Sequence, residues 1–153
     1  MQIFSDRNLT IIRQGHKAVI AKTNTAIAEV AVETGQAAVA YANSHPRFTP
    51  RSGDLQRANE YRVVRTPGGR IVRVLNKKKY AAAIDQGARP HDIHPKVGHE
   101  YLHFKGKFGW VRTRRVKHPG NKPYRFLHGA TLAAGRAMGP KLGAKMARIA
   151  KQF

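Results

Sequence analysis

"ANEYRVVRTPGGRIVRVL", residues 58–75, is where the chain changes its hydrophobic period, and with it the fold class. "ANEYRVVRT" (58–66) and "RIVRVL" (70–75) flank "PGG", with Ile71, Val72, Val74 and Leu75 supplying β-branched and apolar bulk. A period near two on either side of such a breaker predicts a hairpin. Gly68–Gly69 is the pair expected to close it, because glycine accepts positive φ. "NKKK" at 76–79 ends the second strand.

Upstream the period is helical. Leu9, Ile12, His16, Val19, Thr23, Ile27, Val30, Ala37 and Tyr41 recur at mostly three- and four-residue steps, predicting one helix over 6–43 with Ser5 or Asp6 as its cap. "SHPRFTPRSG" at 44–53 stops it with two prolines and a glycine. Downstream, "EYLHFK" (100–105) places Leu102 and Phe104 on one face and Tyr101, His103 and Lys105 on the other. "GKFG" turns the chain, and "WVRTRRVKH" (110–118) returns, its alternation slipping near Arg115 as at a bulge. From 124 to 151 a four-residue stripe, Phe126, Ala130, Ala134, Met138, Leu142 and Met146, predicts a last helix, kinked or divided at Pro140. Beside it Gly135, Gly139 and Gly143 would permit close approach by another helix. "YAAAIDQG" (80–87) fits either a strand or a turn and a half of helix. The expected architecture is α+β: a long N-terminal helix, a central antiparallel sheet of two hairpins within 55–118, and a C-terminal helix. All of it belongs to one domain spanning 1–153.

Charge sets the partners to consider. The 153 residues carry 29 Lys and Arg against 8 Asp and Glu, a formal +21. That excess repels itself and calls for a polyanion or an acidic neighbour. No cysteine is present, which excludes disulfides and thiolate metal sites. The first residues, "MQIFSDRNLTII", lack the pattern of a signal peptide, and no window reaches the apolar length of a membrane span.

The chemistry of turnover is not visible. Carboxylates at 6, 29, 33, 54, 60, 85, 92 and 100 form no acid–base pair, although Asp85, Asp92 and Glu100 could be imagined as a nuclease cluster. His91, His94, His99 and His103 fall within thirteen residues, but a zinc site needs three or four converging ligands, and His91 and His94 straddle a proline-rich loop. No phosphate-loop, nucleophile-elbow or dinucleotide motif occurs. No enzyme activity, metal or cofactor is expected. Nucleic-acid binding is a distinct reading. Lys77, Lys78 and Lys79, then Arg112, Arg114 and Arg115, are candidate polyanion contacts, with Phe108, Trp110 and Tyr124 near enough in sequence to stack on bases.

Two loops remain: "GARPHDIHPK" (87–96) and "KHPGNKPYRF" (117–126). Pro90 and Pro95 restrict the first, Gly87 and Gly120 permit turns, and Phe126 is placed to plug back into the sheet and fix the start of the last helix. In order, "TPRSGDLQRA" (49–58), "YAAAIDQGARPHDIHPK" (80–96) and "LHFKGKFGWVRTRRVKHPGNKPYRFL" (102–127) resemble the tail-completion, or neck, proteins of siphophage-type tailed bacteriophages. The resemblance covers about residues 5–135 and rests on short motifs in the family's order. Gln86, Ala88, Ser52–Gly53–Asp54 and Tyr124–Arg125–Phe126 depart from it.

The resemblance implies a structural virion protein, assembled in the host cytoplasm, that joins head to tail in a homo-oligomeric ring around the DNA channel, commonly a hexamer. Its neighbours would be a stopper or adaptor ring on the head side and tail-tube or tail-terminator proteins on the other, with genome DNA in the channel. The docking residues it implies are Gly87, Arg89, Pro90, His91, Ile93, Pro95, Lys96, His118, Pro119, Gly120, Pro123 and Phe126. The alternative is a basic nucleic-acid-binding protein.

Overall fold

The long helix runs from Asp6 to Ser44 (α1) in a computed structural model that describes residues 6–153; the expected cap Ser5 lies outside the described residues. After α1 come α2 (Asp54–Arg57), β1 (Asn59–Thr66), β2 (Gly69–Asn76), α3 (Ala81–Gln86) and β3 (His91–Ile93). β4 (Leu102–Gly106), β5 (Gly109–Thr113), β6 (Val116–His118) and α4 (Phe126–Ala150) complete the chain, an α+β fold as expected. Two compact units form: α1 to Lys78 together with Phe126–Phe153, and Lys79–Arg125.

In the first unit α4 lies antiparallel against the later half of α1. Phe126, 1% exposed, meets Phe48 edge-on with ring centroids 5.2 Å apart. Further along, Lys145 Nζ donates to Glu29 (2.6 Å) and Glu33 (3.0 Å), and Lys22 Nζ donates to Gln152 (2.7 Å). The buried faces are mostly alanine: Ala26, Ala31, Ala38 and Ala42 on α1, Ala130 and Ala134 on α4, with Val30 among them. Short side chains let two backbones come close, and burial of the apolar surface drives it. Thr34 is buried too, its hydroxyl donating to the Val30 carbonyl at 2.7 Å. Ala37, expected on the apolar stripe, faces outward instead.

The first hairpin packs its inner face on α1. Tyr61 pairs with Val74 and Val63 with Val72, so these four share one side, and the Tyr61 ring lies against Gly35. The connection itself differs from expectation. Pro67 and Gly68 form the two-residue turn, and the positive φ, 144°, falls on Gly69, the first residue of β2. Proline presets φ for the first turn position, which shifts the glycine requirement one residue on. At the hairpin's base three asparagines form a chain: Asn59 Nδ2 donates to Asn43 Oδ1 (2.8 Å), and Asn76 Nδ2 donates to Asn59 Oδ1 (2.7 Å) and the Leu55 carbonyl (2.6 Å). Asn59 is buried, and pairing its amide on both sides removes the desolvation penalty that would otherwise oppose the fold.

The expected central sheet is realised as separate two-stranded ribbons, β1–β2, β4–β5 and a third, β3–β6. "WVRTRRVKH" is two strands and not one bulged strand: the Thr113 hydroxyl donates to the Arg115 carbonyl (2.9 Å) and accepts from its N–H (3.3 Å), bending the chain from β5 into β6. The ambiguous stretch at 80–87 is the helix α3. Pro140 neither divides nor ends α4, which stays helical to Ala150. Residues 135–141 are solvent-exposed, so water can satisfy the carbonyl that Pro140 cannot bond. Among the described residues no helix is long and apolar enough to cross a membrane.

A methyl group at Gly35 would overlap the Tyr61 ring, whereas one at Gly135 meets nothing within 4 Å. Gly35→Ala gains about 1 kcal/mol of helix propensity but incurs about 1–3 kcal/mol of overpacking, so thermal unfolding should show a net loss. Gly135→Ala should gain about 0.5–1 kcal/mol in the same assay. The Lys145 hydrogen bond holds the Glu33 carboxyl below its ordinary 4.5, and Glu29 and Glu33 hold the Lys145 ammonium above its ordinary value. A lowered carboxyl stabilises the fold fully above about 4.5, and that contribution drains away as pH falls through the folded value. Glu33→Gln should therefore flatten the acid limb of the stability–pH curve, measured by denaturant unfolding from pH 3 to pH 7.

Candidate functional site

The two proline-glycine loops are one structure. β3 and β6 pair antiparallel, placing His91 opposite His118, Asp92 opposite Lys117 and Ile93 opposite Val116. Beyond the ribbon, Ala88 and Asn121 exchange two backbone hydrogen bonds of 3.1 and 3.0 Å. The second loop then caps α3, a short helix whose last carbonyls would lack partners. Asn121 Nδ2 donates to the Ala83 carbonyl (2.9 Å), the Tyr124 N–H to Ile84 (3.1 Å) and the Arg125 N–H to Asp85 (2.9 Å). Arg125, at φ 50°, turns the chain out of this cap.

Glycine is required at both crossing points. Gly87 (φ 85°) and Gly120 (φ 80°) lie in the left-handed region. A Cβ on Gly87 would be 2.9 Å from the Asn121 carbonyl oxygen, and one on Gly120 would overlap the Ala88 carbonyl oxygen. The paired histidines are held in different tautomers. His91 Nδ1 faces the Arg89 carbonyl at 2.9 Å and so carries its proton there. His118 Nδ1 accepts from the Gly120 N–H at 3.0 Å and so does not. Their rings lie 5.0 Å apart.

These contacts sort the expected docking residues. Gly87, His118 and Gly120 hold the joint, while Arg89, Pro90, His91, Ile93, Lys96, Pro119 and Pro123 remain exposed along it and Pro95 is half-buried. Phe126 is core, meeting Phe48 edge-on at the start of α4. The asparagine chain at the base of the first hairpin was not foreseen, since nothing local marks Asn43, Asn59 and Asn76 as partners.

The candidate polyanion contacts separate as well. Arg115 Nη2 bridges Asp92 at 2.5 Å; this bond holds the Asp92 carboxyl below its ordinary value and raises the guanidinium. Lys77 bridges Glu60 at 2.8 Å and is the first cause of that carboxyl's lowered pKa, with Arg62 adding to it. Lys78 and Lys79 are exposed beyond β2. Arg112 sits on β5 and Arg114 in the bend just after it. The Arg112 guanidinium stacks 3.9 Å from the Tyr101 ring centroid, and Arg114 lies 5.1 Å from it with Nη2 donating to the Tyr101 hydroxyl at 3.2 Å.

Among the described residues no three His, Asp or Glu side chains converge as metal ligands would. Asp92, imagined with Asp85 and Glu100 as a nuclease cluster, is instead committed to Arg115. No family model, no curated protein and no solved structure matches this chain.

Gly120→Ala should open the joint without melting the first unit. Hydrogen exchange read at peptide resolution should show faster exchange across 88–93 and 116–125, with α1 and α4 unchanged. Gly98→Ala is a matched control, also at positive φ (89°) but with nothing within 4 Å of its Cβ, and should leave those peptides protected.

Proposed function

We propose that this chain is a structural protein of a tailed-phage virion, a tail-completion or neck connector that joins the head connector to the tail tube as a ring around the DNA channel. The observation that carries the reading is the joint. The 80–96 segment and residues 117–126 of the 102–127 segment, which are among the stretches that carry the resemblance to neck proteins, fold onto each other by strand pairing and by capping α3. Short motifs in a shared order mean more when they build one local structure than when they lie apart. Prolines at 90, 95, 119 and 123 stiffen it, so little conformational entropy remains to be lost on docking.

The first unit supplies a second support. The early part of α1 exposes apolar side chains, Ile11 at 59% and Ile20 at 60%, with Leu9 and Ile12 also exposed. A helix segment of this kind fits subunit association, where a ring uses different faces of each protomer. Assembly by docking, and not turnover, is the mechanism the reading requires.

In a phage carrying this gene, interrupting it should leave filled heads and detached tails in lysates seen by electron microscopy. Infectious, joined virions would overturn the reading. Ile11→Asp with Ile20→Asp should give the same unjoined particles while leaving the melting temperature of the purified chain within a few degrees, because exposed substitutions change stability by about 0.5 kcal/mol or less.

A further inference from the structure

The β4–β5 ribbon has two chemically different faces. Leu102 pairs with Thr113 and Phe104 with Val111, so one face is largely apolar. The other carries His103 opposite Arg112 and Lys105 opposite Trp110. By the alternation of a strand, Tyr101 continues that second face, and the guanidiniums of Arg112 and Arg114 lie over its ring. The two strands contain no Asp or Glu. Trp110 is 81% exposed, and Phe108 at the tip is 95% exposed.

We infer that this face is a binding site for single-stranded nucleic acid, with Trp110 as the stacking platform for a base and Lys105, Arg112 and Arg114 as phosphate contacts. Three arguments favour it. The first is charge complementarity: cations occur on this face with no carboxylate in either strand. The second is the tryptophan. An acidic protein surface would satisfy the cations but gives no reason to hold an indole in water beside a lysine, whereas every base offers a π-face to stack on it. The third is preorganisation. Tyr101 fixes both guanidiniums by stacking and by a hydrogen bond, so less rotamer freedom is lost when they meet phosphates. Duplex DNA hides its base faces and would use only the cations. The inference does not rest on the connector reading, since it concerns a ribbon outside the joint.

Trp110 is the chain's only tryptophan, so its fluorescence reports on the site alone. Titration of the intact protein with a short oligothymidylate should quench that emission. Affinity, followed separately by anisotropy of a labelled oligothymidylate, should fall steeply with salt. Trp110→Ala should weaken binding about ten- to hundredfold, and Trp110→Phe, which keeps a ring, far less. Lys105→Ala with Arg112→Ala should lower the salt slope by about 1.4, close to two single-strand phosphates. The triple variant Lys77→Ala, Lys78→Ala, Lys79→Ala should weaken binding less than that pair. Circular dichroism melts of all variants should match the parent, because the substituted side chains are exposed.

Binding without quenching, or tighter binding of a duplex of equal length, would overturn the stacking site. So would equal losses from the lysine triple and the ribbon pair, which would leave only diffuse charge. Polyglutamate that binds as tightly and quenches as strongly would reassign the face to an acidic protein partner. The gene-interruption phenotype bears on none of these outcomes.

Discussion

The close approach of α4 to α1 over alanines is the contact on which the first unit depends. Ala26, Ala31 and Ala38 on one helix and Ala130 and Ala134 on the other leave little side-chain volume between the backbones. A core built from such short groups buries little area per residue, so large side chains must close its ends. Phe126 against Phe48 closes one end, beside Arg47 at positive φ, whose guanidinium lies near Gly129. Tyr61 over Gly35 brings the first hairpin down on α1 from another side. Each of these large groups meets a glycine or another ring. Tyr61 lands on Gly35 of α1 and the Arg47 guanidinium beside Gly129 of α4, positions where the helix carries no Cβ.

Charge is the second constraint. With 29 cations and 8 carboxylates, carboxylates are scarce, and their positions decide which surfaces are neutralised. Glu29 and Glu33 lie on α1 against Lys141 and Lys145 of α4, so the helix pair joins across opposite charge. Glu60 serves both Arg62 and Lys77 at the foot of the first hairpin. Asp92 ties β3 to Arg115 just before β6. The same hairpin also sets Arg62 directly opposite Arg73 and Arg65 opposite Arg70, arrangements that disfavour the strand pairing. Such pairs are tolerated where bound anions or acidic neighbours offset them, which is why the net charge reads as a statement about partners and not about the fold.

How much was legible followed from how local each interaction is. α1 was readable almost to the residue, since its period runs uninterrupted and proline stops it. Both hairpins were readable because their breakers and alternation lie within one short window, although the first turn is Pro67–Gly68 and not Gly68–Gly69. The pairing of β3 with β6 was not: His91 and His118 are far apart in the chain, and proline and histidine on both sides read as loop. The bend at Thr113 was hidden because a threonine inside a strand pattern gives no sign that its hydroxyl will bond two residues on. The asparagine chain was invisible for the same reason, its members coming from α1, β1 and β2. Of the candidate cations, sequence could mark the clusters but not who holds them; Arg115 and Arg114 are neighbours, yet one is committed to a carboxylate and the other to a tyrosine.

Each unit also leaves one surface that its own folding does not use, and the two differ in kind. On the first, the early part of α1 extends with Ile11, Ile12 and Ile20 in water. On the second, a two-stranded ribbon presents cations and aromatics on one side and a partly exposed Phe104 and Val111 on the other. An isolated ribbon of this length is marginal in water, and stacking of Arg112 on Tyr101 is a small contribution against that. Neither surface is explained by stability, because polar replacements would serve stability and solubility as well. Apolar helix and cationic ribbon make chemically separate demands, one for another protein surface and one for phosphate and bases. On the proposed reading the helical unit offers an apolar surface for association, while the second unit carries both the docking joint and the ribbon that meets nucleic acid.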